Sequence, residues 1–334
     1  MTQVSKNWFD QGGSSYASFR PQYPDELAGF LAKLAPNAGL AIDVGCGTGQ
    51  LTRQLAGHFT AVIGADPSAD QIAHAVPHAN IDYVCAPAET LPLPDKSASL
   101  IAAAQAAHWF DLPVFYDEVR RIGADGAVIA LISYGVMQFN RPDLQARFST
   151  FYEAEIGPYW PPERKMVDTG YADIPFPFKE LSGPALTIER SWSLADLLGY
   201  ISTWSAVRSV TEAGQAEILQ AFAVDMEAIW GDPTARHLVR SGQYAFRQTV
   251  VGRHADLKIA DDALAFPIAV ARGFKPCGAT ILKRPFRSLF FGLSAAFLGL
   301  GQSALRRRGQ NFFRRDVSFS IVNRLRSRFA VFFK

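Results

Sequence analysis

The sequence predicts an α/β fold, in which a mostly parallel sheet carries helices on both faces. Two observations support this prediction. Residues 40–134 alternate between short apolar runs and longer amphipathic stretches, which is the pattern of repeated β-α-β units. A glycine-rich loop separates the first apolar run from the first amphipathic stretch. Near-continuous apolar strands joined by helices are typical of a sheet that is buried on both faces.

The individual elements follow from the apolar runs and their boundaries. Strands are predicted at residues 40–44, 61–65, 81–86, 99–104 and 127–133. Helices are predicted at residues 50–57, 68–76 and 112–122. Gly57 is expected to end the first of these helices, and Ser68 is expected to cap the N-terminus of the second.

Residues 141–235 have a different composition, because aromatic residues and prolines become frequent, as in 158–164 (PYWPPER) and 175–180 (PFPFKE). We interpret this stretch as a less regular segment that covers the sheet and shapes a substrate cavity, since small-molecule sites have largely apolar and aromatic walls. Any one of these rings could equally fill a core. Beyond residue 240 the periodicity weakens, and residues 241–334 are predicted to be an irregular extension.

Cysteine usage and the N-terminal sequence favour the cytoplasm. Cys46, Cys85 and Cys277 lie far apart and form no CxxC pair, so neither a disulfide framework nor a metal site is predicted. The first residues lack the basic flank and apolar stretch of a secretory signal. We therefore expect a protein of a reducing compartment.

The strongest chemical signal is the sequence Asp43-Val-Gly45-Cys46-Gly47-Thr-Gly49, at the end of the first predicted strand. Glycines allow the backbone to turn tightly and to approach a ligand closely. A dinucleotide-binding loop reads GxGxxG and faces a diphosphate, whereas here the third glycine comes one position earlier. The carboxylate of Asp43 disfavours a phosphate and suits a ligand with an ammonium and a sulfonium group.

Two further motifs follow along the chain. Asp66 ends the second predicted strand and precedes Pro67, and a carboxylate at this place can accept hydrogen bonds from both hydroxyls of a ribose. After the third strand comes the sequence 86–95 (APAETLPLPD), where Ala88 and Glu89 could contact the edge of an adenine. Glu89 could also be an ordinary solvated acid of a loop.

These motifs, in this order, resemble the class I S-adenosylmethionine-dependent methyltransferases, over about residues 7–240. DVGCGTG is similar to the first motif of that family, GADPS to its ribose-binding acid, and 86–101 to its adenine loop and fourth strand. Residues 16–24 (YASFRPQYP) and 104–111 (AQAAHWFD) look like the small-molecule branch that includes the trans-aconitate methyltransferases. The resemblance implies a Rossmann-like sheet of seven strands that closes with a reversed hairpin, for which residues 244–253 are the candidate last strand.

The resemblance also implies the site. The expected cofactor is S-adenosyl-L-methionine, and the residues expected to bind it are Asp43, Gly45, Cys46, Gly47, Gly49, Asp66, Pro67, Ala88, Glu89 and Gln105. Gln105, His108 and Trp109 are expected to border the cleft that receives the methyl acceptor. His108 has two interpretations: it acts as a general base, since its intrinsic pKa suits proton transfer near neutrality, or it only positions the substrate.

An N-terminal lid, residues 1–35, is the last part of the site that the resemblance implies. Tyr16, Arg20 and Tyr23 are expected to belong to this lid, and the residues expected to take part in catalysis are His108, Trp109, Arg20 and Tyr16. Arg20 could pair with an anionic substrate, or it could only anchor its segment to the sheet. The catalytic domain is expected to span residues 36–240.

The function predicted from these residues is methyl transfer to a small molecule, with a carboxylic acid as one candidate. A dinucleotide-dependent oxidoreductase is the alternative that the GxGxG spacing disfavours. Residues 273–334 carry 13 Lys and Arg against one acid, although the whole chain has a net charge of only +2. This basic tail could bind anionic lipid or, less plausibly, nucleic acid, or it could be an extension without a selected role. The sequence indicates no oligomeric state.

Overall fold

The structure, a computed structural model, describes residues 18–178, 180–181, 183–184, 186–241 and 244–251. Its strands are β1 (Leu40–Val44), β2 (Ala61–Asp66), β3 (Ile81–Cys85), β4 (Ala98–Ala104), β5 (Gly123–Tyr134), β6 (Met137–Phe139), β7 (Glu189–Trp192), β8 (His237–Ser241) and β9 (Tyr244–Val251). Its α-helices are α1 (Asp25–Leu34), α2 (Gln50–Leu55), α3 (Ala69–Ala73), α4 (Leu112–Ile122), α5 (Pro142–Thr150), α6 (Arg164–Asp168), α7 (Leu194–Ser202), α8 (Ser205–Glu212) and α9 (Ala216–Trp230). Single turns of other helix types lie at Ala107–Trp109, Phe151–Glu155 and Gly157–Tyr159.

Six strands form the main sheet, in the order β3-β2-β1-β4-β5-β9. The first five strands are parallel to one another, because each pair of neighbours runs in the same direction. β9 runs antiparallel to β5, with the register from Ala127↔Val251 to Tyr134↔Tyr244. The predicted α/β class and the mostly parallel sheet are thus confirmed, and the candidate last strand is present as β9.

The number of strands differs from the expected seven. Within the described residues, the main sheet has six strands, and β6, β8 and β7 form a separate antiparallel sheet in that order. β8 directly precedes β9 in the chain, yet it pairs with β6 and β7. The expected closing hairpin therefore contributes one strand to each sheet instead of two to the main sheet.

Helices cover both faces of the main sheet, as predicted. Leu31 of α1 and Leu55 of α2 belong to the apolar cluster on one face, while Phe115 of α4 belongs to the cluster on the other. Successive residues of β1 alternate between the two clusters, since Ala41 lies in the first and Ile42 in the second. This alternation places the side chain of Asp43 on the face covered by α1 and α2.

The elements predicted between residues 40 and 134 are all present, and β1 and α4 have the predicted bounds. The predicted cap is confirmed, because the Ser68 hydroxyl accepts a hydrogen bond from the Gln71 amide at 3.2 Å. β5 begins earlier than predicted, at Gly123, since its glycine-containing start still pairs with β4 across an irregularity in the register.

The interpretation of residues 141–235 as a less regular segment is wrong for most of its length, although the described residues between α6 and β7 form neither a helix nor a strand. This stretch contains the five helices α5 to α9, which pack through large aromatic side chains such as Phe151 and Phe222, whose rings stack at 3.8 Å. The prolines misled the prediction because they stand at the starts of helical turns, as Pro142 does in α5 and Pro158 in the turn Gly157–Tyr159. At these positions the missing amide hydrogen costs no hydrogen bond.

Several predictions fall on residues that the structure does not describe. These are Tyr16, the first part of the predicted lid and the whole basic tail at 273–334. The main sheet extends to Val251, and the division into lid, catalytic domain and extension otherwise stays a prediction. In the part of the chain that the structure describes, no helix has both the length and the hydrophobicity to cross a bilayer.

Candidate cofactor and acceptor site

The loop between β1 and α2 depends on its three glycines. Gly45, Gly47 and Gly49 have φ angles of 70°, 56° and 87°, in the left-handed region that other residues rarely adopt. Gly45 is also crowded, because a Cβ atom there would lie 2.4 Å from the Cβ of Ala106, in the loop after β4. The amide of Gly45 donates to the Ala65 carbonyl at 2.7 Å, which ties the loop to the end of β2. The glycine pattern is therefore required by the backbone itself.

Asp66 joins this loop to the start of α3. One of its carboxylate oxygens accepts a hydrogen bond from the Gly47 amide at 2.9 Å, and the other accepts from the Ser68 amide at 2.8 Å. Burial raises the pKa of Asp66, and these two amides lower it in part. Each carboxylate oxygen can accept a further hydrogen bond, so Asp66 keeps the capacity for the predicted ribose contact.

Asp43 lies behind the glycine loop, almost without exposed surface. One carboxylate oxygen accepts from the Thr52 hydroxyl at 2.7 Å, whereas Oδ1 is buried and has no hydrogen-bond partner within the described residues. Burial raises the pKa of Asp43 to about 7, and the negative charge of Asp66 contributes a smaller rise. A positive charge next to these two acids favours their ionised forms. The pair therefore fits a ligand that carries a sulfonium and an ammonium group.

Tyr83 is a component of the loop's surroundings that the sequence did not reveal. Its ring lies so close to β2 that a Cβ on Gly64 would be 2.7 Å from it, and a Cβ on Gly49 would be 2.2 Å from its hydroxyl oxygen. Burial raises the pKa of Tyr83. Cys46, predicted as a cofactor contact, is buried beside Gly64, and burial raises the pKa of its thiol well above the ordinary value. Tyr83 thus packs directly against Gly49 of the loop and Gly64 of β2.

The loop after β3 has a more structural character than predicted. Ala88 is buried in the apolar cluster on the α4 face, so only its backbone remains for a contact with a base. Glu89 accepts a hydrogen bond from the Asp111 amide at 2.8 Å and so fastens this loop to the start of α4. Pro67 is exposed, and its carbonyl accepts from the Cys85 thiol at 3.4 Å. The contacts predicted for Ala88, Glu89 and Pro67 with the cofactor stay predictions.

A cavity lies beside the loop that follows β4. It has a volume of about 440 Å³, open mouth included, and its lining residues are Arg20, Gln105, His108, Trp109, Trp160, Arg164, Trp204 and Ser205. The structure thus brings four residues of the predicted cleft together, Arg20, Gln105, His108 and Trp109. It adds a tryptophan and an arginine from the start of the helical layer and two residues from the junction of α7 and α8.

The two arginines give this cavity its charge. Arg164 donates to Asp168 at 3.0 Å, and its guanidinium lies 4.7 Å from the centre of the Trp160 ring. Arg20 donates to the Thr203 carbonyl at 3.2 Å, so this residue both anchors its segment and borders the cavity. Asp168 is not part of the lining, so the described lining residues include two positive side chains and no negative one. Such a surface favours an anionic ligand.

His108 is held in place from two sides. Its Nδ1 atom lies 2.9 Å from the hydroxyl oxygen of Tyr171, and its ring packs against Trp109 in a tilted arrangement with 4.8 Å between the centres. Burial, together with the positive charges of Arg164 and Arg20, lowers the pKa of His108 to about 3. The imidazole is therefore neutral near pH 7. Such a weakly basic group favours the positioning role over that of a general base.

Two other residues of the prediction have defined places. Gln105 adopts a φ angle of 55°, and its side-chain amide donates to the Tyr134 carbonyl at 2.9 Å, which fixes the turn after β4. Tyr23, expected in the lid, is buried in the core and packs edge-to-face on Tyr134, while its carbonyl accepts from Gln54 at 2.7 Å. Its apolar surroundings exclude Tyr23 from the surface of the cavity.

Comparison with known proteins relates this site to methyl transfer. Residues 42–131 match a family model described as a methyltransferase domain. The chain is 40% identical over 214 residues to a Dictyostelium discoideum protein described as a methyltransferase, covering 63% of this chain and 81% of that protein. It is also 40% identical to the solved structure of a type II methyltransferase from Anaeromyxobacter dehalogenans, with a TM-score of 0.65 and coverage of 71% and 100%.

Two further relatives match over shorter stretches. A Saccharomyces cerevisiae protein described as an S-adenosylmethionine-dependent methyltransferase is 29% identical, over 42% of this chain and 48% of its own length. The malonyl-[acyl-carrier protein] O-methyltransferase of a Marinomonas species is 33% identical, over 40% of this chain and 53% of its own length. The chain spans about half the length of these two proteins.

Proposed function

Since the chain belongs to the class I S-adenosylmethionine-dependent methyltransferases, we propose that it transfers the methyl group of S-adenosyl-L-methionine to a carboxylate oxygen of a small organic acid. The observation that carries this proposal is the cavity whose described lining includes Arg20 and Arg164 and no acidic side chain. Membership in this family replaces the dinucleotide-dependent alternative. The proposal has a cofactor half and an acceptor half, which rest on different residues.

In the cofactor half, the glycine loop and the two buried acids would hold S-adenosylmethionine, which supplies an activated methyl group on a positively charged sulfur. Gly45, Gly47 and Gly49 bring the backbone close to the ligand, and Asp66 would accept hydrogen bonds from the ribose. Asp43 balances the positive charge from behind the loop, because one of its oxygens is buried without a donor. These residues bind and orient; none of them takes part in a proton transfer.

In the acceptor half, the two guanidinium groups would bind the carboxylate groups of the acid. Hydrogen bonds between arginine and a carboxylate are short, strong and directional. The tryptophans at positions 109, 160 and 204 form the walls, which exclude water and hold the organic part of the ligand. Orientation of the acceptor is the main contribution left to the protein, and in well-aligned systems it supplies about 7–11 kcal/mol.

The choice of a carboxylate over a hydroxyl or an amine is supported by the lining residues that the structure describes, none of which is a suitable base. A carboxylate is already ionised near pH 7, whereas a hydroxyl or an ammonium group must lose a proton. Among the lining residues, His108 is the titratable group nearest to this role, and its pKa is lowered to about 3. The Marinomonas relative, whose name states transfer to oxygen, is consistent with this choice.

The decisive experiment measures transfer of a labelled methyl group from S-adenosylmethionine to matched sets of acceptors. We expect mono-, di- and tricarboxylic acids to be methylated, with the label released as methanol by mild alkali, as for an ester. The corresponding amides and alcohols should be inert. Methyl transfer to the amides or alcohols, with all of the carboxylic acids inert, would overturn the proposal.

We further propose a cytoplasmic location and a free small molecule as the partner. The buried Cys46 thiol, which forms no disulfide, supports a reducing compartment. Contact of the basic tail with an anionic membrane stays a prediction that truncation at residue 273 tests. Equal partition of the full and truncated chains onto anionic vesicles would contradict it.

A further inference from the structure

Tyr171 has an unusual position in the structure. It follows α6, it is fully buried, and its φ angle of 63° lies in the left-handed region. A bulky residue with positive φ is strained, and such strain is concentrated at functional sites. Its hydroxyl oxygen lies 2.9 Å from Nδ1 of His108, which lines the acceptor cavity. This pair joins two parts of the chain that are 63 residues apart.

The protons of this pair can be assigned from its hydrogen bonds. Burial raises the pKa of the Tyr171 hydroxyl, and hydrogen bonds from the backbone N–H groups of His108 and Ala107 lower it. The buried Tyr171 hydroxyl therefore keeps its proton near pH 7 and can donate it to Nδ1 of the neutral His108 ring, 2.9 Å away. A neutral imidazole with Nδ1 as acceptor carries its single hydrogen on Nε2.

We propose that Tyr171 holds His108 in the tautomer with hydrogen on Nε2, and that His108 donates this hydrogen bond to an oxygen of the methyl acceptor. The inference rests on the proposed function, since it names how the same cavity orients its ligand. Nε2 has no hydrogen-bond partner among the described residues, and His108 contributes to the surface of the cavity. His108 then contacts the acceptor, and Tyr171 is a positioning residue that acts through His108.

The charges around the pair agree with this assignment. Arg164 and Arg20 both disfavour a protonated imidazole, so His108 stays neutral over the range in which the enzyme can be assayed. A neutral donor adds direction to a cavity in which the arginines already supply the positive charge. Fixing one oxygen of a carboxylate reduces the number of orientations in which the other oxygen can attack.

The first test observes the tautomer directly and needs no methyl acceptor. In 15N-labelled protein, the two ring nitrogens of His108 are assigned by their disappearance in His108→Gln. We expect a protonated Nε2 and an unprotonated Nδ1 from pH 6 to pH 9. In Tyr171→Phe the tautomers should mix. A protonated Nδ1 in the unaltered protein would overturn the inference, even if the protein is an active methyltransferase.

The second test measures kinetics. Tyr171→Phe should lower kcat/KM for the acceptor about 10- to 100-fold, the loss expected for one misdirected hydrogen bond to a charged group, with unchanged affinity for S-adenosylmethionine. The matched control is Tyr116→Phe, which removes another buried hydroxyl, bonded to the Pro175 carbonyl at 2.7 Å. This control should keep kcat/KM within about threefold, as expected for a hydrogen bond that lies outside the site.

The combination of variants separates positioning from a purely structural role. In the His108→Gln background, Tyr171→Phe should cause no further loss of kcat/KM, because the residue through which it acts is gone. At saturating S-adenosylmethionine, the pH profile of kcat/KM for the acceptor should be flat from pH 6 to pH 9 in the unaltered protein. Independent, additive losses, or a rate that rises with pH as for a general base, would overturn the inference.

Discussion

The cofactor half and the acceptor half of the proposed site differ in the groups that they present to a ligand. Around the glycine loop, the proposed cofactor would meet backbone atoms and two buried acids, Asp43 and Asp66. In the acceptor cavity, the methyl acceptor would meet long side chains, among them Arg20, Arg164 and Trp160. Contacts from the backbone suit the cofactor, which is the same for every methyl acceptor. Side chains can be substituted, so the cavity that they line can be adapted to different acceptors. The difference shows how one sheet can serve many methyl acceptors.

The two halves also differ in the sign of their charge. A cationic nucleoside is attracted to the acids, and an anionic acceptor is attracted to the guanidinium groups, so each ligand is disfavoured in the other's place. A substitution in one half of the site should therefore weaken the binding of only one of the two ligands. The variants below use this rule: those near the loop should change the affinity for the cofactor, and those in the cavity should change the KM of the acceptor.

The largest effect is expected for Gly45→Ala. The new methyl group would lie 2.4 Å from the Ala106 Cβ, and the φ angle of 70° disfavours any side chain by about 1–2 kcal/mol. The loop must then shift away from the end of β2. We expect the affinity for S-adenosylmethionine, measured by calorimetry, to fall by about a hundredfold or more, at roughly 1.4 kcal/mol per tenfold.

Gly214→Ala is the control for this strain. Gly214 has a φ angle of 72°, but a Cβ atom there would meet nothing within 4 Å, and the residue lies between α8 and α9. This variant should lower the free energy of unfolding by about 1 kcal/mol and leave cofactor affinity unchanged. Similar cofactor affinities for both variants would show that the crowding at Gly45 is unimportant.

The next effect in size is expected for Asp66→Asn. The change keeps the shape of the side chain but removes its charge, and one of the amides of Gly47 and Ser68 would then face an NH₂ group. Charged hydrogen bonds contribute about 1.5–3 kcal/mol, so cofactor affinity should fall about 10- to 100-fold. Asp82→Asn, an exposed residue of β3, is the control with the same change in charge. Equal affinities of the two variants would remove Asp66 from the site.

The cofactor half could be predicted because its determinants are local in sequence. Gly45, Gly47 and Gly49 stand within five residues, and their spacing alone requires a tight turn after a strand. Asp66 could be placed near this loop for a different reason, since the strand ends of a parallel sheet meet at one edge. Tyr83 escaped the prediction because it lies in mid-strand and looks like any aromatic residue of a core. Its importance follows only from its proximity to Gly49.

The acceptor half could be predicted only in part. Arg20, His108 and Trp109 were identified, but the sequence could not pair them with Trp160, Arg164 and Trp204, whose approach depends on the packing of five helices. No local pattern links His108 to Tyr171, because the contact spans 63 residues and depends on a strained backbone. Prolines at helix starts concealed the helical layer itself.

Arg164→Gln tests the acceptor half and should have a moderate effect. Loss of one guanidinium from the cavity should raise the KM of a carboxylic acid about tenfold, as for one charged hydrogen bond, without a change in cofactor affinity. Arg208→Gln is matched to it, since both arginines pair with an acid one helical turn later, at 3.0 Å for Arg164 and 3.2 Å for Arg208. The control breaks a partly exposed ion pair outside the cavity lining, and such a pair contributes about 0.5 kcal/mol or less. A raised KM in both variants would mean that the ion pair, and not the cavity, is responsible.

The smallest expected effect is the pH dependence of cofactor binding, which isolates Asp43. Its pKa of about 7 in the folded protein lies above the ordinary value of 3.8, so the folded state retains a proton that the unfolded state has lost. The contribution of Asp43 to the free energy of unfolding therefore falls as the pH rises from about 4 to about 7. Binding of a cation reverses the preference, because it favours the ionised carboxylate.

Affinity for S-adenosylmethionine should accordingly increase between pH 6 and pH 8, by about tenfold if binding requires ionised Asp43. The cofactor's own ammonium group also titrates, but Asp43→Asn shares that contribution, so the ratio of the two affinities reports on Asp43 alone. The affinity of the unaltered protein divided by that of Asp43→Asn should rise with pH and become constant above pH 8. A constant ratio would mean that Asp43 serves the loop only through its bond to Thr52, and that Asp66 alone attracts the cation.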